Sequence, residues 1–244
     1  MNKSSSSFFS IVAILVFCFI ISPTSTKHRV LKSFETLFNL EEGSLDNAYR
    51  SIKMNDTVSG TNSEKISHSN EAIKYYKEIC LKTEDGRSYT NPMKWEKDVK
   101  IYVSGYRPDY MMSELDDIVS ELNDLINPID LEIVSSESEA NTFIFLGSDS
   151  DFKETYSFLK NKDLSRTAGY FTIKPENAYL YVNMDKLDGD VEAQKSVLRE
   201  ELTQSLGLCN DSWEYPNSIF YQGWSTNTEY SELDKEIIQM LYNE

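Results

Sequence analysis

Histidine is nearly missing from this chain. There are two among 244 residues, His28 and His68, and both precede the patterned part of the sequence. A metal centre built on imidazoles is therefore excluded from the body of the protein, because zinc draws its affinity from imidazole and thiolate donors. Basic residues are also scarce, 24 Lys and Arg against 40 Asp and Glu, for a net charge of -16 and a pI near 4.6. Phosphate backbones need a Lys/Arg patch and none is visible, so no nucleic-acid partner is expected. Cysteine is limited to three, and Cys18 sits inside a hydrophobic run. That leaves Cys80 and Cys209. In an oxidising compartment they could pair, closing a loop worth roughly 4 to 5 kcal/mol in the chain-entropy model. They could equally remain two separate buried thiols, and spacing alone does not choose.

The hydrophobic run itself, Phe8 to Ile21, follows Lys3 and precedes Ser22-Pro23-Thr24-Ser25-Thr26. It is shorter than the roughly 20 apolar residues a bilayer span requires, and its flanks are those of a secretory signal. Residues 1–26 are read as a signal peptide. The protein is then secreted or held in the cell envelope, with no stable membrane span once the signal is removed. Residues 27–70 are polar and poorly patterned, a linker with a short helix around Val30 to Leu40. Residues 71–244 form the folded domain, with its core in 98–244.

Periodicity predicts the elements of that domain. Glu71 to Thr83 is helical, with Ile73, Tyr76, Ile79 and Cys80 on one face. Trp95 follows and plugs the core. Val99 to Ser104 alternates as a strand and stops at Gly105. Ser113 to Ile126 is an amphipathic helix opened by Ser113 and Asp116 in capping-box spacing and closed before Pro128. Asp130 to Ser135 and Thr142 to Leu146 are strands, and the strand–helix–strand order implies parallel pairing. Asp149 to Arg166 reads as a surface excursion with a short helix near Phe152 to Leu159. Ala168 to Ile173 and Ala178 to Val182 form an antiparallel hairpin around Lys174-Pro175-Glu176-Asn177. A helix from Asp190 to Leu206 follows, and Ser231 and Asp234 cap a closing helix.

The stretch from Leu198 to Asp211 carries the chemistry. Leu198, Leu202 and Leu206 recur every fourth residue on an apolar stripe. Glu200 and Gln204 share a second, polar face; Glu201 lies about 100° round from Glu200. Gly207 lets the chain leave the helix in a left-handed turn, and Asn210 follows three residues later. Side groups at positions one, two and five, Gly at eight and a polar group at eleven have the spacing of a metzincin zinc site. Active metzincins carry His at one, five and eleven, where this chain has Glu200, Gln204 and Asn210. The general-base position alone is kept, as Glu201.

On these residues the chain resembles the zincins, particularly the matrixin branch of the metzincins. Leu206-Gly207-Leu208 is similar to the matrixin Leu-Gly-Leu. Ser218-Ile219-Phe220-Tyr221 stands where the Met-turn would be, with Phe220 for the methionine. Leu233-Asp234 and Leu241-Tyr242 match the closing helix. It also closely resembles a family of exported bacterial proteins of unknown function that carry Glu-Glu-x-x-Gln for His-Glu-x-x-His. The resemblance implies an α+β, zincin-like (metzincin) fold: a mixed sheet with an antiparallel edge strand, a site helix and a C-terminal helix.

Two functions are compatible with that fold. One is a non-catalytic pseudo-peptidase binding an extended peptide or protein along the edge strand Ala168 to Ile173. In it Glu200, Gln204 and Asn210 form a hydrogen-bonded network in place of a metal, and Asp211 and Tyr221 complete the binding set. The other is a hydrolase in which Glu201 serves as base, helped by Glu200 and Asp211, with or without a metal other than zinc. No metal is assigned and no cofactor is implied. The aromatics Trp213, Tyr215, Phe220, Tyr221 and Trp224 read as packing before they read as a ligand platform.

Overall fold

The computed structural model describes residues 68–83 and 86–243. The expected signal peptide, and the linker as far as residue 67, lie outside the described residues. Helices α1 (Asn70–Cys80), α2 (Asp109–Leu125), α3 (Asp149–Thr155), α4 (Val191–Gln204) and α5 (Glu232–Tyr242) accompany five strands. These are β1 (Val99–Gly105), β2 (Leu131–Ile133), β3 (Thr142–Gly147), β4 (Gly169–Ile173) and β5 (Ala178–Asn183), with short 3-10 turns at Glu137–Glu139 and Ser157–Leu159. They form one sheet of order β2-β1-β3-β5-β4. β1, β2, β3 and β5 run parallel, and β4 pairs antiparallel with β5 at the edge. The fold is α+β with a mixed sheet, a buried helix behind its edge and a closing C-terminal helix.

Alternation along β3 and β5 sends side chains to both faces of the sheet. Ile144, Leu146, Ala178, Leu180 and Val182 enter the main core with Ile79, Leu115, Ile118, Leu198, Leu202 and Ile237. Phe145 and Tyr181 point the other way, into a second core with Phe152, Tyr156, Leu159 and Leu164. Residues 149–166 are thus more than the expected surface excursion. Phe152 is wholly buried and stacks on Tyr181 with centroids 4.7 Å apart. This segment covers the second sheet face, whose strands would otherwise expose an aromatic surface.

Helix boundaries follow capping chemistry, with two departures from expectation. α2 begins at Asp109 behind Pro108, so Ser113 and Asp116 lie inside the helix and form no capping box. The extended backbone of Pro108 opens the helix a full turn earlier than the hydroxyl suggested. In α1 the inward face is Ala72, Tyr75, Ile79 and Cys80, while Ile73 is 36% exposed. The helix is rotated because the Tyr75 hydroxyl reaches the Ser218 hydroxyl, 2.6 Å away in the interior. Elsewhere the caps are as expected. Asp190 accepts from the Ala193 amide at 3.0 Å to start α4, and Ser231 with Asp234 forms a true capping box on α5. His68, expected in the linker, sits instead against Glu236 of α5 at 3.2 Å. Among the described residues, no helix is long and apolar enough to cross a membrane.

Candidate functional site

Helix α4 lies against β4 and β5 on one side and α2 on another. Its leucine stripe is fully committed to the core: Leu198, Leu202 and Leu206 are each at most 1% exposed. The polar residues singled out from the sequence divide into three environments. Glu201 is buried beneath the start of the edge strand. A Cβ placed on Gly169 would lie 2.3 Å from Glu201 Oε1 and 2.4 Å from Val197 Cγ1. The missing side chain at 169 is what gives this carboxylate its room. Glu200, one residue back and turned about 100° away, is only partly buried.

Gln204 is 1% exposed, and its Nε2 donates to Asp211 Oδ1 at 2.6 Å. The turn that brings Asp211 back depends on Gly207, whose φ of 116° favours glycine and whose Cβ would strike the Met93 carbonyl oxygen at 1.9 Å. Trp95 helps hold the end of the helix, donating from Nε1 to the Ser205 carbonyl at 2.9 Å. Asn210 braces the turn through its amide nitrogen. Its Nδ2 donates to the Glu78 carbonyl at 3.2 Å and to the Asp211 carbonyl at 2.8 Å. Of the expected Glu200–Gln204–Asn210 set, the Gln204 amide nitrogen is held by Asp211 and the Asn210 amide nitrogen braces α1. Asn supplies two amide donors, and the unpaired carbonyls at the end of a helix attract them. Tyr221 bridges Ser212, next to Asp211, in an isolated parallel pairing, and its ring is edge-on to the exposed Trp213 with centroids 5.9 Å apart.

Under this loop lies a buried polar knot. Asp234, fully buried, accepts from the Ser218 hydroxyl at 2.6 Å, the Ile219 amide at 3.2 Å and the Ser231 amide at 2.9 Å. Burial raises its carboxyl above the usual carboxylate range, partly offset by those donors. Phe220, at the expected Met-turn, is fully buried beside it.

Sequence reasoning missed Arg199. Its side chain is 2% exposed and bonds Glu114 at 2.9 Å and Glu121 at 2.8 Å, with the guanidinium 4.7 Å from the Tyr230 ring centre. Burial alone would lower its pKa, yet Tyr230, Glu121 and Glu114 hold it above its ordinary value. The Tyr230 hydroxyl in turn meets Thr203 Oγ1 at 2.8 Å. A signal was present in the sequence: Glu114 and Glu121 are seven residues apart, two turns along one face of α2, next to the apolar stripe.

A zinc ion does not fit these groups. The Gln204 and Asn210 side chains are held through their amide nitrogens, by Asp211 and by backbone carbonyls, and could offer a metal only amide oxygens. Asn210 is directed at α1, and amide oxygens are poor donors to zinc. Cys80 and Cys209 are buried thiols and not a disulfide. Cys209 Sγ is 3.7 Å from the Gln204 carbonyl oxygen, and burial pushes the Cys80 thiol well up.

Residues 69–244 match the profile of a family described as a protein of unknown function, DUF2927. No curated protein matches the chain. Among solved structures, that of myroilysin is similar at 14% identity over 61% of this chain and 82% of that one, with a TM-score of 0.41.

Proposed function

The chain belongs to the DUF2927 family, and we propose that it is an exported, non-catalytic pseudo-peptidase of zincin-like ancestry that binds an extended peptide or protein segment along β4. One observation carries this reading: among the described residues β4 is an edge strand with no charge or proline of its own. Natural edges are blunted by charge, proline, bulges or shortness. The opposite edge, β2, is only three residues long. β4 is Gly169-Tyr170-Phe171-Thr172-Ile173, uncharged and without proline, and half-exposed throughout. An edge of that kind is a template for a further strand.

The register says which groups would pair. Lys174 and Asn177 exchange backbone hydrogen bonds at the hairpin, and the Asn183 amide donates to the Ala168 carbonyl. Antiparallel pairs alternate, so Tyr170 and Thr172 bond inward to β5 while Gly169, Phe171 and Ile173 offer their amides and carbonyls outward. The hydrolase alternative is disfavoured by the same geometry. Glu201 is 8% exposed beneath Gly169, and Gln204 and Asp211 are engaged with each other.

The test uses peptides selected by display against the full chain. Phe171→Pro removes an outward amide and leaves the β5 ladder intact, and Thr172→Lys adds an edge charge. Both are expected to abolish binding of the selected peptide; the thermal midpoint should change little in Thr172→Lys and fall in Phe171→Pro, because the lost Phe171 ring packs, partly buried, against the main core. Unaltered affinity in Phe171→Pro would exclude the strand route. Turnover of the peptide, lost in Glu201→Gln, would return the protein to the hydrolases.

A further inference from the structure

A cleft of about 500 Å³ is lined by Tyr106, Tyr110, Met184, Asp185, Asp188 and Gln194 among others. Its walls come from the segment after β1, the turn after β5 and the first turn of α4, so it sits beyond the carboxyl ends of parallel strands. Side chains there belong to loops and helix starts and are free to converge on a ligand.

The cleft's chemistry is one-sided. Two phenol rings and two carboxylates line it, and no cation does. The basic residues near it in sequence are all turned elsewhere. Lys186 Nζ donates to the Ser165 and Thr167 carbonyls at 3.1 and 3.4 Å. Arg107 Nη1 turns back to the Val103 carbonyl, and Lys195 pairs with Glu114 at 3.6 Å. The carboxylates of Asp185 and Asp188 have no ion pair among the described residues, and both residues are exposed. The rings differ in how they are held. Tyr110 is anchored through its hydroxyl to Gln194 Oε1, and Gln194, 3% exposed, is held in turn through Nε2 to the Leu187 carbonyl at 2.8 Å. Tyr106 is 65% exposed, an aromatic face kept out in solvent at the rim. Tyr106 and Asp188 both lie close enough to Tyr110 to add to the effect of burial in raising its phenol.

We infer that this cleft binds an organic cation, a protonated amine or guanidinium, seated between the Tyr106 and Tyr110 rings and neutralised by Asp185 and Asp188. Ring faces attract cations through their quadrupole, and the exposed carboxylate pair adds both charge and hydrogen-bond acceptors. An inorganic divalent ion is the poorer occupant, because aromatic walls contribute no oxygen ligands. The positive end of α4 opposes a cation only weakly, since Asp190 already caps it.

The test titrates the full chain, followed by tyrosine-ring NMR signals, with acetyl-lysine methylamide, acetyl-arginine methylamide and the neutral acetyl-norleucine methylamide. A lysine-containing pentapeptide is the second arm. The cationic probes are expected to shift the Tyr106 and Tyr110 signals, and the neutral one is not. Asp185→Asn with Asp188→Asn is expected to weaken binding about tenfold or more, and the exposed Tyr106→Ala by about fivefold. Glu137→Gln with Glu139→Gln removes the same charge from an exposed turn elsewhere and is expected to change affinity little. Equal binding of peptide and single-residue probes identifies a small amine as the source of the cation. Much tighter peptide binding identifies a basic side chain of a partner. The inference is overturned if the neutral probe binds as well, or if the control pair loses as much affinity as the cleft pair.

Discussion

Gly169 on β4 stands directly over the carboxylate of Glu201 on α4, with 2.3 Å between a notional Cβ and Oε1. The residue that looked like a surviving catalytic base is thus also the floor on which the edge strand rests. Gly169→Ala is expected to destabilise the protein by about 1 to 3 kcal/mol through overpacking. Glu201→Ala in the same chain should recover part of that loss, with Val197 Cγ1 accounting for the rest. A double-mutant cycle from denaturant unfolding measures the coupling; strict additivity would mean the two residues do not share space.

Arg199 joins α4 to α2 through Glu114 and Glu121. Arg199→Met is expected to cost about 2 to 4 kcal/mol, because the buried Glu114 keeps only its longer contact to Lys195 at 3.6 Å. Adding Glu114→Gln should restore a substantial part. Chemical denaturation of both variants checks this, and a loss below about 1 kcal/mol would show that the ion cluster adds nothing to stability.

Asp234 supplies a pH signature. Its folded carboxyl lies above the ordinary carboxylate range, with burial the larger cause. Its contribution to stability is full at pH below the unfolded pKa and declines as pH rises through the folded one. The stability of the wild type relative to Asp234→Asn should therefore fall across the mildly acidic range and then level off. Thermal melts of the two proteins at stepped pH give the difference, and a gap that widens with rising pH would reverse the assignment.

Zinc should be well below one equivalent in protein purified without chelator and analysed by elemental mass spectrometry. Stoichiometric zinc would mean that Gln204 and Asn210 abandon the partners described above.

Cys80 and Cys209 are 3% and 4% exposed. Both are expected to resist alkylation in the native protein and to react fully once it is denatured, as read by peptide mass. A peptide pair linked through 80 and 209 would show that they oxidise to a disulfide.

The order of the elements, the parallel strands, the antiparallel hairpin at the edge, the α5 capping box and the apolar stripe of α4 were all written in local pattern. Each depends on near-neighbour spacing: alternation in β3, the four-residue repeat from Leu198 to Leu206, the three-residue separation of Ser231 and Asp234. The replacement of imidazole by carboxylate and amide at 200, 204 and 210 was equally plain, because composition needs no coordinates. Tertiary structure alone decided where those groups point. Asn210 meets Glu78, which is 132 residues away in sequence; Arg199 meets Glu114 and Glu121 across 85 and 78 residues. The seven-residue spacing of Glu114 and Glu121 marks an acidic face but does not name its partner, since hydrogen-bond donors take the acceptors that packing brings to them. Burial of the 149–166 segment was hidden for the same reason: Phe152 and Tyr156 look like isolated aromatics until a sheet face needs covering.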